Sequence, residues 1–219
     1  MADAPLVDAP LADRPGSRPV LVTHERFEGL VWNVASDEVD LGDSRVVTRD
    51  YLRHTGAVVI IALDDSDRVY LVRQYRHPVG AECWEPPAGL LDAAGESPVD
   101  AARRELHEEA DLIASQWHTL VDYCPSGGAS SETVRVFLAR GISLVPEGER
   151  HERTDEERDM IGAWVPLDEA VEAVMDGRVH ASSAVAGLLA ADHARRDAFA
   201  TLRAADAPWM RPEATRLQR

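Results

Sequence analysis

Long apolar runs are missing from this chain: no stretch approaches the roughly 18 to 20 apolar residues that span a bilayer, although 45% of its 219 residues are hydrophobic. Cysteine is nearly absent as well. The two that occur, Cys83 and Cys124, have neither metal-type spacing nor the density of a disulfide framework, which fits a cytoplasmic protein with reduced thiols. Positive charge is scarce: 23 Lys plus Arg stand against 39 Asp plus Glu, for a net charge of −16. With no basic run, nucleic acid is an unfavourable partner. A small phosphorylated ligand held through metal ions is compatible with that balance. The N-terminal MADAPLVDAPLADRPGSRP lacks the charged and apolar regions of a signal peptide, and no membrane partner is expected.

What is present suits one domain with a small extension. Residues 1–19, rich in Pro, Ala and Asp, read as an arm with little to bury. From 20 to 54, short β-branched and aromatic runs with turn residues such as Gly42-Asp43 predict antiparallel strands, a module ahead of the main domain. GAVVIIAL, 56 to 63, is a continuous apolar run expected as a strand buried on both faces. VYLVRQYR follows after a polar turn, and the two are expected to pair as a central hairpin. In WEPPAGL the two prolines forbid a regular central strand beyond that point. Further strands are expected at Leu120 to Tyr123, Thr133 to Ala139 and IGAWVPL, then two terminal helices, the first ending at Gly177. Residues 55–204 read as the main domain and 205–219 as an uninformative tail. The order of elements predicts an α/β (α+β) sandwich with a mixed sheet.

Ser97-Pro98 announces a helix: Ser is a good N-cap, Pro is favoured at the first helical position, and Asp100 completes a variant capping box. Val99, Ala102 and Leu106 supply the apolar stripe, with the carboxylates expected on another face. Glu105, Glu108 and Glu109 crowd the last turns. Like charges three and four apart repel by a few tenths of a kcal/mol per pair, and acidic groups near a helix C-terminus oppose its dipole. A local rule broken this often marks a functional site, and a hard divalent cation is the simplest relief.

Gly89, Glu96, Arg104, Glu105, Leu106, Glu108, Glu109 and Leu112 resemble the Nudix box. Two departures stand out: six residues rather than five separate Gly89 from Glu96, and Asp111 occupies the place of a Gly. QYRHPVG, WEPPAGLLD, the Pro-Ser-Gly-Gly loop and the late EERDM segment are similar to the ADP-ribose pyrophosphatase branch of that family. The resemblance implies a Nudix fold, its mixed central sheet between helices. It implies Mg²⁺-dependent hydrolysis of ADP-ribose to AMP and ribose 5-phosphate, with Mn²⁺ as a possible substitute. It also implies a homodimer with the 20–54 strands at the interface. The metal ligands would be Glu105, Glu108, Glu109 and the backbone carbonyl of Ala88, with Gly89 and Glu96 structural and Arg104 orienting the carboxylates. Glu157, with Glu156 beside it, matches the base. Arg76 is the candidate to meet a phosphate or the terminal ribose, its guanidinium being suited to phosphate geometry. Glu85 would serve a ribose hydroxyl, and Pro125 to Gly128, with Pro125 and Gly127 foremost, the terminal ribose. Trp84 reads as core, and the histidines show no constellation. Another nucleoside diphosphate derivative, or a catalytically silent nucleotide sensor, stays open as an alternative.

Overall fold

The computed structural model describes residues 10–152 and 160–211. Contacts divide the chain into two compact units between Tyr51 and Leu52. The first holds an antiparallel sheet of β1 (Val20–Glu28), β2 (Asn33–Asp40) and β3 (Val46–Arg53), in that order. Ala35 and Ser36 are its buried positions, and most of β1 is exposed.

In the second unit the core strand is β4 (Ala57–Ala62), which lies between β7 (Ala88–Leu90) and β9 (Val134–Leu144). It pairs parallel to β9 and antiparallel to β7. With β8 (Leu112–Tyr123) and the short β11 (Arg203–Ala204), these make a five-stranded mixed sheet, β11-β8-β9-β4-β7. The period-2 alternation of β4 sorts its continuous apolar run to two sides. Val58, Ile60 and Ala62 pack with Ala101, Ala102 and Leu106 of α1 (Pro98–Ala110). Val59, Ile61 and Leu63 pack with Leu188 and Ala191 of α3 (Ser182–Arg196) and with Leu167 of α2 (Leu167–Met175). Each Val, Ile and Leu among them contributes about 1.5 to 3 kcal/mol by leaving water. The helix α3 comes so close that a Cβ on Gly187 would stand 2.8 Å from Ile61 Cδ1. That approach explains a mid-helix glycine despite its cost of about 1 kcal/mol.

The expected central hairpin does not form as such. β5 (Arg68–Arg76) leaves the β4 sheet after one isolated bridge, Leu63 to Val69. It becomes the middle strand of a second antiparallel sheet, β10-β5-β6, with β10 (Ile161–Pro166) and β6 (Ala81–Glu85). β4 has both its neighbours already, and β5 alternates buried Val69 and Leu71 with Tyr70 and Val72 for packing on two sides. Pro86 and Pro87, both buried, stand where the chain crosses back, joining edge strand β6 to edge strand β7. Proline's missing N–H is tolerated there. At α2 the predicted stop holds: Gly177 adopts φ +70° just past the helix. Among the described residues no helix is long and apolar enough to cross a membrane.

The tail contains more structure than its composition suggests. Ala207 and Pro208 accept hydrogen bonds from Arg135 at 2.7 and 3.1 Å. Arg135 itself, 2% exposed, grips Asp122 with two nitrogens at 2.8 and 3.0 Å and lies 4.9 Å from the Trp209 ring centre.

Candidate active site

Helix α1 carries the candidate site. Its start is built as the residues dictate: Ser97 Oγ accepts from Asp100 N–H at 3.2 Å and donates to the Asp100 carboxylate at 2.6 Å, with Pro98 in the first turn. The extra residue before Glu96 is absorbed in a turn closed by Glu96 N–H to Ala93 O, with Gly95 at φ +82°. Asp111 takes the left-handed cap at φ 52° and donates to His107 O, the conformation in which Asp is tolerated after Gly.

The carboxylates do not share a solvent face. Glu105 and Glu109, one turn apart, are 9% and 8% exposed beside the apolar stripe, while Glu108 is half-buried. The helix turns them toward β7 because glycine there leaves room: a Cβ at Gly89 would stand 2.0 Å from Glu105 Cδ and Oε1. Arg104 gathers the remainder. Its Nε and Nη2 each reach Glu96 at 3.1 Å, and Nη1 donates to Glu105 at 2.5 Å and Glu108 at 3.1 Å. Those bonds, Glu96 first, hold the guanidinium firmly protonated, above its ordinary range. Ala88 N–H donates to Glu109 Oε2 at 3.0 Å, so Ala88, Gly89 and the three carboxylates stand together.

Across Pro86-Pro87 lies the second cluster. Arg76, at the end of β5, donates to both oxygens of Glu85 at 3.1, 3.2 and 2.6 Å. This fork raises the Arg76 pKa, and the charge of Glu109 adds to the effect, which places Glu109 within its field. Glu85 is 7% exposed and engages Arg76 through both carboxylate oxygens. A groove of about 420 Å³ opens beside Arg76, lined also by Arg73, Tyr75, His77, Glu82 and Ile161. Trp84 packs in the core with Arg73 5.5 Å above its ring.

Five acidic side chains (Glu85, Glu96, Glu105, Glu108, Glu109) thus face two guanidinium groups. Among the described residues no three His, Cys, Asp or Glu side chains converge closely enough to hold an ion in this arrangement; Arg104 engages Glu105 and Glu108, and Ala88 N–H engages Glu109. The donors are nonetheless all hard oxygens, acidic in excess and set one turn apart, a set that suits Mg²⁺. The loop of Pro125 and Gly127 is exposed and pinned at its far end to Leu52. Glu156 and Glu157 lie outside the described residues. His54, Tyr123 and Glu132, which composition did not single out, form one group beyond Glu85. His54 Nε2 is 3.4 Å from Glu132 Oε1. Tyr123 is hydrogen-bonded to Ser182, with its hydroxyl pushed up to about 12 by burial and by the charges of Glu132 and Glu85. A His two residues before a Gly and a Glu closing a Ser-rich loop were the available signals.

A family model described as the NUDIX domain matches residues 53–185. The chain belongs to the Nudix hydrolase family. An ADP-ribose pyrophosphatase of Mycobacterium tuberculosis is 44% identical, aligned over 85% of this Nudix protein and 88% of its own length. A protein named methanol dehydrogenase activator, from Bacillus methanolicus, is 32% identical over 74% of this chain and 86% of its own. Among solved structures, an ADP compounds hydrolase superposes with a TM-score of 0.72 over 85% of this chain and 98% of that one; at 20% identity this is a likeness of fold.

Proposed function

We propose that the protein is an ADP-ribose diphosphatase, which with Mg²⁺, or Mn²⁺ in its place, hydrolyses ADP-ribose to AMP and ribose 5-phosphate. The observation that carries this reading is the pairing of a guanidinium fork, Arg76 on Glu85, with the carboxylates of Glu105 and Glu109 across two prolines. One group suits phosphate and the other suits a divalent cation. The relative from Mycobacterium tuberculosis supports the choice of substrate.

Glu105, Glu109 and the Ala88 carbonyl would hold the cation, with Glu108 beside them. When bound, it would neutralise charge on the diphosphate and acidify a water. Arg104, anchored by Glu96, keeps Glu105 and Glu108 oriented. Arg76 meets a phosphate oxygen, for which its planar fork is matched. Glu85 keeps Arg76 aimed in the free protein. Pro125 and Gly127 line the terminal ribose, and Glu157 accepts the proton of the attacking water. Residues 20–54 belong to a homodimer interface, 55–204 form the catalytic domain, and the cytoplasm is the site of action.

Purified protein offered ADP-ribose, NADH, diadenosine polyphosphates and nucleotide sugars, with Mg²⁺ or with chelator, tests this by AMP release. ADP-ribose is expected to give the highest kcat/KM, and chelation to abolish turnover. Tight nucleotide binding with no turnover of any compound would establish a sensor instead. Glu109→Gln is expected to lower kcat by orders of magnitude with an unchanged circular dichroism spectrum. Full activity in Glu157→Gln would move the base elsewhere.

A further inference from the structure

We infer that His54 is a positioning residue, a latch that holds Glu132 and the 125–132 loop against the segment 52–57 beside the substrate cleft. The inference rests on the reading above that this loop lines the substrate.

Three features define the latch. His54 is 7% exposed, and its Nδ1 accepts from Gly56 N–H at 2.9 Å. That bond fixes the tautomer, so Nε2 carries the hydrogen and faces Glu132 Oε1 at 3.4 Å. Burial keeps the ring neutral, with a pKa of about 4, and raises the Glu132 carboxyl. The backbone repeats the connection. Leu52 N–H donates to Ala129 O at 2.9 Å, Ser131 N–H to Leu52 O at 3.0 Å, and His54 N–H to Ser131 Oγ at 3.0 Å.

Two connections carry the latch to the site. The Tyr123 hydroxyl lies in the fields of both Glu132 and Glu85, and Glu85 holds Arg76. On the other side, Gly56 O accepts from Leu91 N–H at 3.0 Å, two residues beyond Gly89. Gly56 can serve both ends because it adopts φ +90°, where a side chain is strained. The imidazole therefore ties the loop end and the start of the motif loop to one short segment. An alanine there would leave the backbone bonds but free the carboxylate.

The test uses His54→Ala, His54→Asn and His54→Gln in the full chain. Asn keeps an acceptor near Nδ1 and Gln keeps a donor near Nε2. With ADP-ribose and Mg²⁺, His54→Ala is expected to raise KM about tenfold, equivalent to about 1.4 kcal/mol, with kcat within about threefold. Gln should recover KM better than Asn. Amide exchange in 126–132 should quicken in the alanine variant. Glu132→Ala, at a loop position whose side chain is 25% exposed, gives the same KM change if His54 acts through it, and serves where His54→Ala fails to fold. An unchanged KM in folded His54→Ala, or equal losses of kcat and KM in all three variants, would overturn the latch. Were the wild type to bind ADP-ribose without cleaving it, the diphosphatase reading would fail. Loop exchange would then still decide the latch, and unaltered exchange would sink it.

Discussion

Every basic residue of this chain is arginine; there is no lysine among the 23. At the scale of the residue this matters because the guanidinium is a planar fork with five donors, where an ammonium is a point charge. Arg104 uses three nitrogens on Glu96, Glu105 and Glu108, so Arg104→Lys is expected to lower kcat while thermal stability changes little; unchanged kcat would strip Arg104 of its orienting role. Glu85→Gln should unseat Arg76 and raise KM for ADP-ribose more than it lowers kcat, and the reverse split would return Glu85 to direct chemistry. His54 gives a pH prediction. Its pKa falls from 6.5 to about 4 in the folded chain, so between those values the unfolded chain binds the extra proton. The stability it contributes is full above about pH 6.5 and is lost as pH falls toward 4, with a slope of at most about 1.4 kcal/mol per pH unit. Glu132, raised by burial, acts in the opposite sense. The acid limb of a Tm against pH curve should flatten in His54→Gln, and an identical limb would assign the proton elsewhere. Arg104, Glu105, Glu108 and Glu109 were legible because their spacing is tied to one helix. The Glu85–Arg76 pair was not legible because it comes from strand register: Glu85 pairs opposite Val72, and Arg76 opposite Ala81. No local pattern records that diagonal.

At the scale of the element, α1 was legible at both ends, since caps are local chemistry. Ser97→Ala should cost about 1 kcal/mol and lower Tm by about 2 to 4 °C, measured by calorimetry; no shift would mean that packing alone sets the start of the helix. Its carboxylate face was not legible. Helical periodicity places Glu105 and Glu109 on one side of the cylinder, but only β7 and the vacant Cβ of Gly89 determine that this side is covered. β4 and β5 show the same limit. Their apolar patterns identified two strands, whereas the partners, β9 for one and β10 for the other, come from residues more than seventy positions away.

At the scale of the molecule, the C-terminal segment closes the second unit. Ending the chain after Ala204 removes two carbonyl acceptors and the Trp209 ring from the buried Arg135 guanidinium. The expected loss is about 2 to 3 kcal/mol and several degrees in Tm, whereas ending it after Arg211 should change Tm little. Equal Tm values for the two truncations would show that Asp122 alone satisfies Arg135. Composition hid this segment because its interactions are mostly backbone acceptors, which every sequence has. The crossing at Pro86 and Pro87 has a mechanical meaning. Only these two residues, each with its φ locked by a ring, separate Glu85 from Ala88. They act as a fixed calliper: the span between the Arg76–Glu85 fork and the carboxylates is set by two pyrrolidine rings, and any slip of one sheet past the other is read at once as a change in that gauge.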